Sequence, residues 1–133
     1  MQLPAREVVE AALLARSSVH PSGEVLCFSN GGCPWKTHLY ELERNLAVAA
    51  PVKFVLYEDS AQMWRVQAVT VEGTDFANRL SLAEPWRGLR DAALCEAAAI
   101  EGCKFCHAAG FIGGNATYEG ALAMALKTIE LAK

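Results

Sequence analysis

The chain has 133 residues, of which 53% are hydrophobic and 20% are charged, and its formal net charge is −3. A chain of this length forms one hydrophobic core, so we expect residues 1–133 to fold as a single domain. No apolar run approaches the ~20 residues that cross a bilayer, which excludes a membrane-spanning helix. The acidic balance argues against a broad nucleic-acid-binding surface built on charge alone, but it is compatible with a small pocket for a few phosphates.

The five cysteines are an odd number, and the first residues lack the basic, apolar and small-residue regions of a secretory signal. This combination favours reduced thiols over a disulfide framework and indicates an intracellular protein. Glu7 and Glu10 disfavour a mitochondrial presequence, so the residues alone predict a cytoplasmic or nuclear location.

The first third of the chain predicts a helix, a strand and a second helix. One apolar stripe predicts an amphipathic helix over residues 4–16, and the run EVLCFS predicts a buried strand over residues 24–29. A glycine bend at residues 30–32 leads to Pro34, which suits the first turn of a helix with a leucine stripe.

The middle of the chain predicts an antiparallel hairpin. Its strands cover residues 52–57 and 64–71, and the short polar turn between them, residues 58–62, implies antiparallel pairing. Arg65 and Gln67 share one face of the second strand. They belong either to a solvated face or to the wall of a polar pocket.

A long loop over residues 72–85 follows, and loops of this length in compact domains tend to be functional. It leads to Trp86, whose ring is either a core anchor or a stacking face for a base. Asp91 suits the N-cap of a short helix over residues 92–99. A guanidinium group can donate two parallel hydrogen bonds to one phosphate. Four of the seven arginines fall within one 26-residue window here: Arg65, Arg79, Arg87 and Arg90.

The stretch GCKFCHAAGFIGGNATYEG combines a strand pattern, a glycine-rich bend and a helix start. Period-two alternation predicts the strand over residues 103–109, and Thr117 suits the N-cap of a final helix that ends at Ala132. The bend either only turns the chain or forms an anion cradle from exposed backbone N–H groups. The residues of the bend are Gly110, Gly113, Gly114 and Asn115.

Residues 103–107 also match the C-x-x-C-H pattern of c-type haem attachment. Because the segment predicts a strand and no export signal precedes it, we interpret this match as coincidental. A structural zinc site would need a second well-spaced cysteine pair, which the other cysteines do not form. A redox role for the thiols of Cys103 and Cys106 is the alternative that this motif leaves open.

Four segments of the chain resemble one known family. They are CPWKTHLYELE (residues 33–43), WRVQAV (64–69), LAEPWRGLRD (82–91) and GCKFCHAAGFIGGNATYEGAL (102–122). In this order they are similar to the C-terminal portion of the melanocyte-proliferating-gene protein family. That family is related to the DHH phosphoesterases, and its members are described as metal-dependent hydrolases and 3′ to 5′ RNA exonucleases of nucleus and mitochondria. The resemblance therefore implies a nuclear or mitochondrial location.

The resemblance also implies a division of labour within the family. Its members hold metal ions in a larger N-terminal half through a His-x-Asp and an Asp-His-His motif, and this sequence contains neither. His20, His38 and His107 stand isolated, so we expect no metal site, no cofactor and no catalytic residue in this chain, and a divalent metal ion only in the catalytic half. In DHH-type enzymes a smaller C-terminal domain binds the substrate, while the N-terminal half cleaves it.

Substrate-binding roles follow from the resemblance for ten residues. Arg87 and Arg90 are expected to face phosphates together with the glycine bend, while Arg65, Gln67 and His107 line the cleft and a lysine flanks it. The ten residues are Lys36, Arg65, Gln67, Arg87, Arg90, His107, Gly110, Gly113, Gly114 and Asn115.

We therefore expect an α/β domain with a small mixed sheet of about four strands, packed helices, and a binding edge at the βα loops after the first and last strands. The predicted function is that of a substrate-binding domain for RNA 3′ ends or oligonucleotide phosphates in a DHH-related exonuclease, without catalytic activity of its own. The alternatives are an interaction module that docks a separate DHH catalytic chain and a thiol-redox protein that uses Cys103 and Cys106.

Overall fold

The computed structural model of the chain describes residues 5–28, 35–46, 51–59, 62–74 and 77–132. Within these residues, five α-helices and one short 3-10 helix accompany a five-stranded sheet in the order β1-β2-β3-β5-β4. The elements in chain order are α1 Ala5–Leu14, α2 Arg16–Val19, β1 Val25–Cys27, α3 Lys36–Asn45, β2 Phe54–Glu58, β3 Trp64–Ala68, the 3-10 helix Glu84–Trp86, α4 Asp91–Ala98, β4 Cys103–Cys106, β5 Ile112–Asn115 and α5 Tyr118–Leu131.

The sheet is mixed, which confirms the predicted α/β class. β1 pairs with β2 in parallel, and α3 lies in the connection that a parallel pair requires. All other neighbouring strands are antiparallel. The predicted hairpin is confirmed as β2 and β3, with Tyr57 opposite Arg65 and Val55 opposite Gln67.

The prediction that Gly113, Gly114 and Asn115 lie in a loop is wrong. They belong to β5, which lies between β3 and β4, so the sheet has five strands rather than about four. Gly114 lies opposite Arg65 on one side and Phe105 on the other. The bend itself is confined to residues 107–111, and there a single glycine takes the left-handed conformation, with φ 74°.

Helices cover both faces of the sheet. Because successive side chains of a strand point to opposite faces, alternate residues supply two separate cores. On one face, which we call the α5 face, α5 packs on β2, β3 and β5, and α4 packs on β4. Its core contains the strand residues Val25, Phe54, Leu56, Val66 and Ala68. On the opposite face, the α3 face, helices α1 and α3 pack together over Leu26 and Val55.

The α3 face is covered less completely over β3, β5 and β4. Residues directly opposite one another in antiparallel strands share a face, so the register places one group of side chains here. All of its members except the glycine are half-buried. We call this region the open face, and it consists of Arg65, Gln67, Phe105, Ile112 and Gly114.

Of the two N-cap residues predicted from the sequence, one is confirmed by the structure and the other is wrong. Thr117 is confirmed as the N-cap of α5, because its Oγ1 accepts a hydrogen bond from the Gly120 N–H at 3.0 Å. Asp91 is not a cap: it is the first residue of α4, and Arg90 occupies the cap position without a side-chain cap hydrogen bond.

The predicted bend at residues 30–32 and the helix start at Pro34 lie outside the described residues. In the part of the chain that the structure describes, no helix is long and apolar enough to span a membrane.

The outer edge of β4 is paired with the segment that precedes α4. The Gly88 N–H donates to the Cys106 carbonyl at 2.9 Å, and the Cys106 N–H donates to the Leu89 carbonyl at 3.0 Å. Arg90 and Phe105 form an isolated antiparallel bridge next to these bonds. The motif PWRGLRD therefore covers the edge of the sheet through its backbone.

Candidate functional site

Arg65 lies in the middle of the open face. Its Nε donates to Asp59 Oδ2 at 2.9 Å, and its Cζ lies 5.5 Å from the centroid of the Phe105 ring. Gly114 between them carries no side chain, and an added Cβ there would lie 2.7 Å from the Phe105 ring and 2.8 Å from Met63 Sδ. The terminal nitrogens of Arg65 make no hydrogen bond to the rest of the described chain. Within the described residues, these nitrogens are therefore available to an anionic ligand.

A cleft of about 200 Å³ is lined by Gln67, which follows Arg65 by two residues on the same face of β3, and we call it the α3 cleft. It lies between the first turn of α3, the end of β3 and the turn that joins β4 to β5. Most of its surface is apolar, and the polar groups come from a lysine, a threonine and two side-chain amides. Its walls are formed by Lys36, Gln67, Ala68, Thr70, Asn78, Ala109 and Phe111.

Neighbouring hydroxyl groups orient the polar wall of the cleft. The Tyr57 hydroxyl donates to Gln67 Oε1 at 2.9 Å, which leaves the amide nitrogen of Gln67 as a donor. Burial raises the pKa of Tyr57, so this hydroxyl stays protonated at neutral pH. The Tyr40 hydroxyl bonds the carbonyl of Thr70 at 2.7 Å and its Oγ1 at 2.8 Å, which fixes the end of β3 against α3.

Lys36 lines the α3 cleft, and His107 lies next to Phe111 in the turn that joins β4 to β5. Lys36 is exposed, its Nζ lies 5.9 Å from the centroid of the Trp35 ring, and no carboxylate of the described residues is within salt-bridge distance. His107 is exposed beside Phe111, with ring centroids 4.5 Å apart. Its Nδ1 accepts a hydrogen bond from the Ala109 N–H at 3.0 Å, so neutral His107 carries its proton on Nε2.

Arg87 and Gly110 contact each other away from the open face, whereas Arg90 lies at the outer edge of the sheet. Arg87 donates from Nε to the Leu82 carbonyl at 2.9 Å and borders a separate cavity next to the end of α5. Gly110 packs against the Arg87 side chain. Arg90 is exposed and pairs with Phe105 at the outer edge of β4, so it shares a face of the sheet with Phe105. The structure therefore does not bring Arg87 together with Arg65, which differs from the arrangement expected from the resemblance, whereas Arg90 borders the open face at Phe105.

Asn115 and Gly113 point to the α5 face and are buried. Asn115 is fully buried, its Nδ2 donates to the Glu101 carbonyl at 3.0 Å, and its Oδ1 accepts from the Thr117 N–H at 3.0 Å. An added Cβ on Gly113 would lie 3.0 Å from Leu82 Cδ1. This placement contradicts the expectation that the two residues face phosphate. Asn115 instead ties β5 to the start of α5.

Arg79 has a structural role although it falls within the same sequence window. Its two terminal nitrogens donate to the carboxylate of Glu43 at 2.9 and 2.6 Å, and one of them also donates to the Val52 carbonyl at 2.9 Å. The guanidinium lies over Tyr40, with Cζ 5.5 Å from the ring centroid. This forked pair joins the long loop to α3, so both terminal nitrogens of Arg79 already have partners within the protein.

The thiols of β4 do not have the environment of a redox pair. Burial raises the pKa of Cys103 and that of Cys106 to about 11. Both thiols are free and buried, and therefore protonated at neutral pH. Because the thiolate is the reactive form, these values disfavour the thiol-redox alternative.

Among the described residues, no group of three or more His, Cys, Asp or Glu side chains is placed to hold a metal ion. The divalent metal ion that the resemblance implies for the catalytic half therefore has no set of ligands in this part of the molecule. Hence we assign no chemical step to it.

Comparison with known proteins places the chain in a family. The model MYG1_exonuc, described as an uncharacterised protein family (UPF0160), matches residues 1–129. The chain belongs to this family. It is 56% identical over 127 residues to MYG1 exonuclease of Bos taurus, and this match covers 96% of the chain and 33% of the relative. It is 54% identical to MYG1 exonuclease of Homo sapiens, covering 96% of the chain and 34% of the relative, and 52% identical to MYG1 protein of Dictyostelium discoideum, covering 96% and 38%.

The chain thus spans about a third of the length of these curated relatives of the MYG1 family. No solved structure matches it. The family assignment confirms the resemblance that the four sequence segments carry.

In this MYG1-family chain, Arg65, Gln67 and Gly114 of the predicted site lie on the open face, and Lys36 lines the α3 cleft together with Gln67. They are joined by Phe111 and Asn78, which the sequence did not single out. Phe111 stands in the quoted segment HAAGFIGGN, but nothing in that segment distinguishes a ring at the surface from one in the core. Asn78 carries no local signal, because only the pairing of its loop with the end of β3 brings it to the cleft.

Proposed function

We propose that this chain binds the single-stranded 3′ end of an RNA or a short oligonucleotide on its open face and in the α3 cleft. Bond cleavage is left to metal-binding motifs that its sequence does not contain. Membership of the MYG1 family supports the proposal, since two of the relatives named above are called MYG1 exonuclease. An intracellular location in the nucleus or mitochondrion forms part of the same proposal.

The observation that carries the proposal is the arrangement of Arg65 over Phe105. The ring and the salt bridge to Asp59 hold the guanidinium in place, while its terminal nitrogens point to no described partner. Forked guanidinium nitrogens match the oxygens of a phosphodiester. Lys36, which has no ion-pair partner among the described residues, adds a second cation at the wall of the α3 cleft. Two cations in an otherwise acidic chain suit a short strand rather than a long duplex.

A titration of 5′-labelled, 12-nucleotide single-stranded RNA, followed by fluorescence anisotropy at several salt concentrations, tests the proposal. With two phosphates neutralised, log affinity should fall with log salt with a slope of about −1.4. Arg65→Gln should bring the slope to about −0.7. Arg87→Gln is the matched control and should leave it unchanged, because Arg87 lies away from the open face. Absence of salt-sensitive binding at near-millimolar protein would refute the proposal.

A second candidate is an interaction module that docks a separate DHH catalytic chain. The observation in its favour is that the chain spans about a third of the length of its curated relatives. The half-buried Phe105 and Met63 over Gly114 offer an apolar contact for such a partner. Co-purification with a DHH-containing chain, without affinity for RNA, would favour this candidate over RNA binding.

A further inference from the structure

The α3 cleft has the dimensions and the wall chemistry of a site for one planar heterocycle. A volume of about 200 Å³ accommodates a small ring system, and the wall is mostly apolar with a few polar groups. Small-molecule sites typically combine an apolar lining with a small number of placed polar groups that fix orientation. The question is therefore which ligand chemistry these polar groups recognise.

Asn78 supplies an unsatisfied acceptor at the wall of the cleft. Its Nδ2 donates to Ser81 Oγ at 3.0 Å, whereas its Oδ1 is buried and has no hydrogen-bond partner in the described part of the chain. Buried polar atoms in native proteins nearly always have a partner, so an orphaned acceptor at a cleft indicates a missing donor. A ligand N–H group that enters the cleft would provide that donor after a small rotation of the amide.

Gln67 supplies the complementary donor. The Tyr57 hydroxyl occupies its Oε1, so its amide nitrogen is the group left to bind a ligand. The cleft thus offers one acceptor and one donor from two side-chain amides. Every nucleobase carries donors and acceptors along its Watson–Crick edge, and single-stranded bases are commonly recognised there.

Phe111 supplies a surface for stacking. Its side chain is 38% exposed, and the edge contact with His107 together with the hydrogen bond from the Ala68 N–H to the Phe111 carbonyl at 2.8 Å fixes the residue at the rim. An exposed aromatic ring beside a cation is the usual means by which proteins hold a single-stranded base and its phosphate. Lys36, which also lines the cleft, provides that cation.

We infer that the α3 cleft is the subsite for one unpaired nucleobase, the base at the 3′ end of the bound strand. This inference rests on the proposed function, which supplies the polarity of the strand. A base in a duplex has its Watson–Crick edge occupied, so it cannot pair with Gln67 and Asn78. The chain therefore selects an unpaired end over a paired one.

Three 5′-labelled RNAs of the same 12-nucleotide sequence test the inference by fluorescence anisotropy: the intact strand, a strand whose 3′-terminal nucleotide is abasic, and a strand whose 5′-terminal nucleotide is abasic. Loss of one stacked base should weaken binding of the 3′-abasic strand about tenfold. The 5′-abasic strand should bind like the intact one. A blunt duplex of the same sequence should bind at least tenfold more weakly than the single strand.

Phe111→Ala should abolish the difference between the intact and the 3′-abasic strand. Leu131→Ala is the matched control, because this side chain is 61% exposed at the end of α5 and does not line the cleft. It should preserve the difference. Thermal unfolding of both variants checks that each is folded before its affinity is measured.

Equal, salt-sensitive binding of the intact and 3′-abasic strands would overturn the base subsite and leave the proposed function standing. If no RNA binds, the proposed function fails. A titration with adenosine monophosphate, followed by amide NMR, then tests separately whether the cleft binds a nucleobase. Shifts at Ala109 and Phe111 would support the base subsite, and their absence would overturn it.

Discussion

Replacing Asn115 by alanine should destabilise the fold rather than weaken ligand binding. The substitution removes the hydrogen bonds from Nδ2 to the Glu101 carbonyl and from the Thr117 N–H to Oδ1, both 3.0 Å long. It leaves the Glu101 carbonyl and the Thr117 N–H without these partners, and it empties a side-chain position that is fully buried. At roughly 1–2 kcal/mol for each lost bond and its orphaned partner, the free energy of unfolding should fall by about 2–4 kcal/mol. In a chain of this size that corresponds to a decrease in Tm of about 10 °C.

Urea denaturation followed by circular dichroism measures this loss. Asn115→Asp should be at least as destabilising at pH 7, because one carboxylate oxygen would face the Glu101 carbonyl in a buried site. Asn78→Ala is the matched control: it removes an amide from the half-buried wall of the cleft, and it should change stability by less than about 1 kcal/mol. If Asn115→Ala kept its stability within about 0.5 kcal/mol and lost affinity for RNA, the structural role argued for Asn115 would be wrong.

Three further predictions concern the core and its charges. Gly120→Ala should destabilise the protein in thermal unfolding although alanine is the better helix former, because the added Cβ would overlap the Asn115 side chain; a more stable variant would contradict this packing. Cys106 should react with iodoacetamide at pH 8 far more slowly in the native protein than in urea, since burial raises its pKa to about 11. In the unfolded chain the Cys106 thiol has its ordinary pKa of 9.0, so it ionises at a lower pH than in the folded protein. The wild type should therefore lose stability relative to Cys106→Ala as the pH rises from about 9 through about 11. Equal dependence of stability on pH in the two proteins would contradict the raised pKa. Arg79→Ala should cost roughly 2–3 kcal/mol in urea denaturation by leaving the Glu43 carboxylate without its partner, while a loss of RNA affinity at unchanged stability would show that Arg79 binds ligand.

Side-chain patterns in the sequence predict the elements whose faces differ in polarity. The hairpin of β2 and β3 and the cap at Thr117 follow from alternation and from a local capping rule, and both are confirmed. β5 could not be recognised in this way, because Gly113 and Gly114 carry no side chains whose alternation would reveal a strand. Position 113 requires a small residue because it packs against Leu82 in the core. Neither glycine takes a left-handed conformation.

The composition of the candidate site could not be predicted from the sequence pattern, because it depends on how distant segments of the chain pack together. Arg65 and Arg87 lie close in sequence, but the register of β3 places one on the α3 face and the path of the long loop carries the other to the end of α5. The α3 cleft joins Lys36, Asn78 and Phe111 from three distant segments. Their proximity follows from the strand order of the sheet, which side-chain pattern alone does not specify.

The hydrogen bonds between Leu89 and Cys106 also limit how this molecule can associate with others. An unpaired edge strand can recruit a foreign peptide as an additional strand, with backbone amides supplying the affinity. At Cys106 those amides are already used by the same chain. A partner that approaches from this side must therefore be recognised through side chains, so ordinary surface substitutions should abolish such an association, whereas a proline in the partner's contact segment should be tolerated.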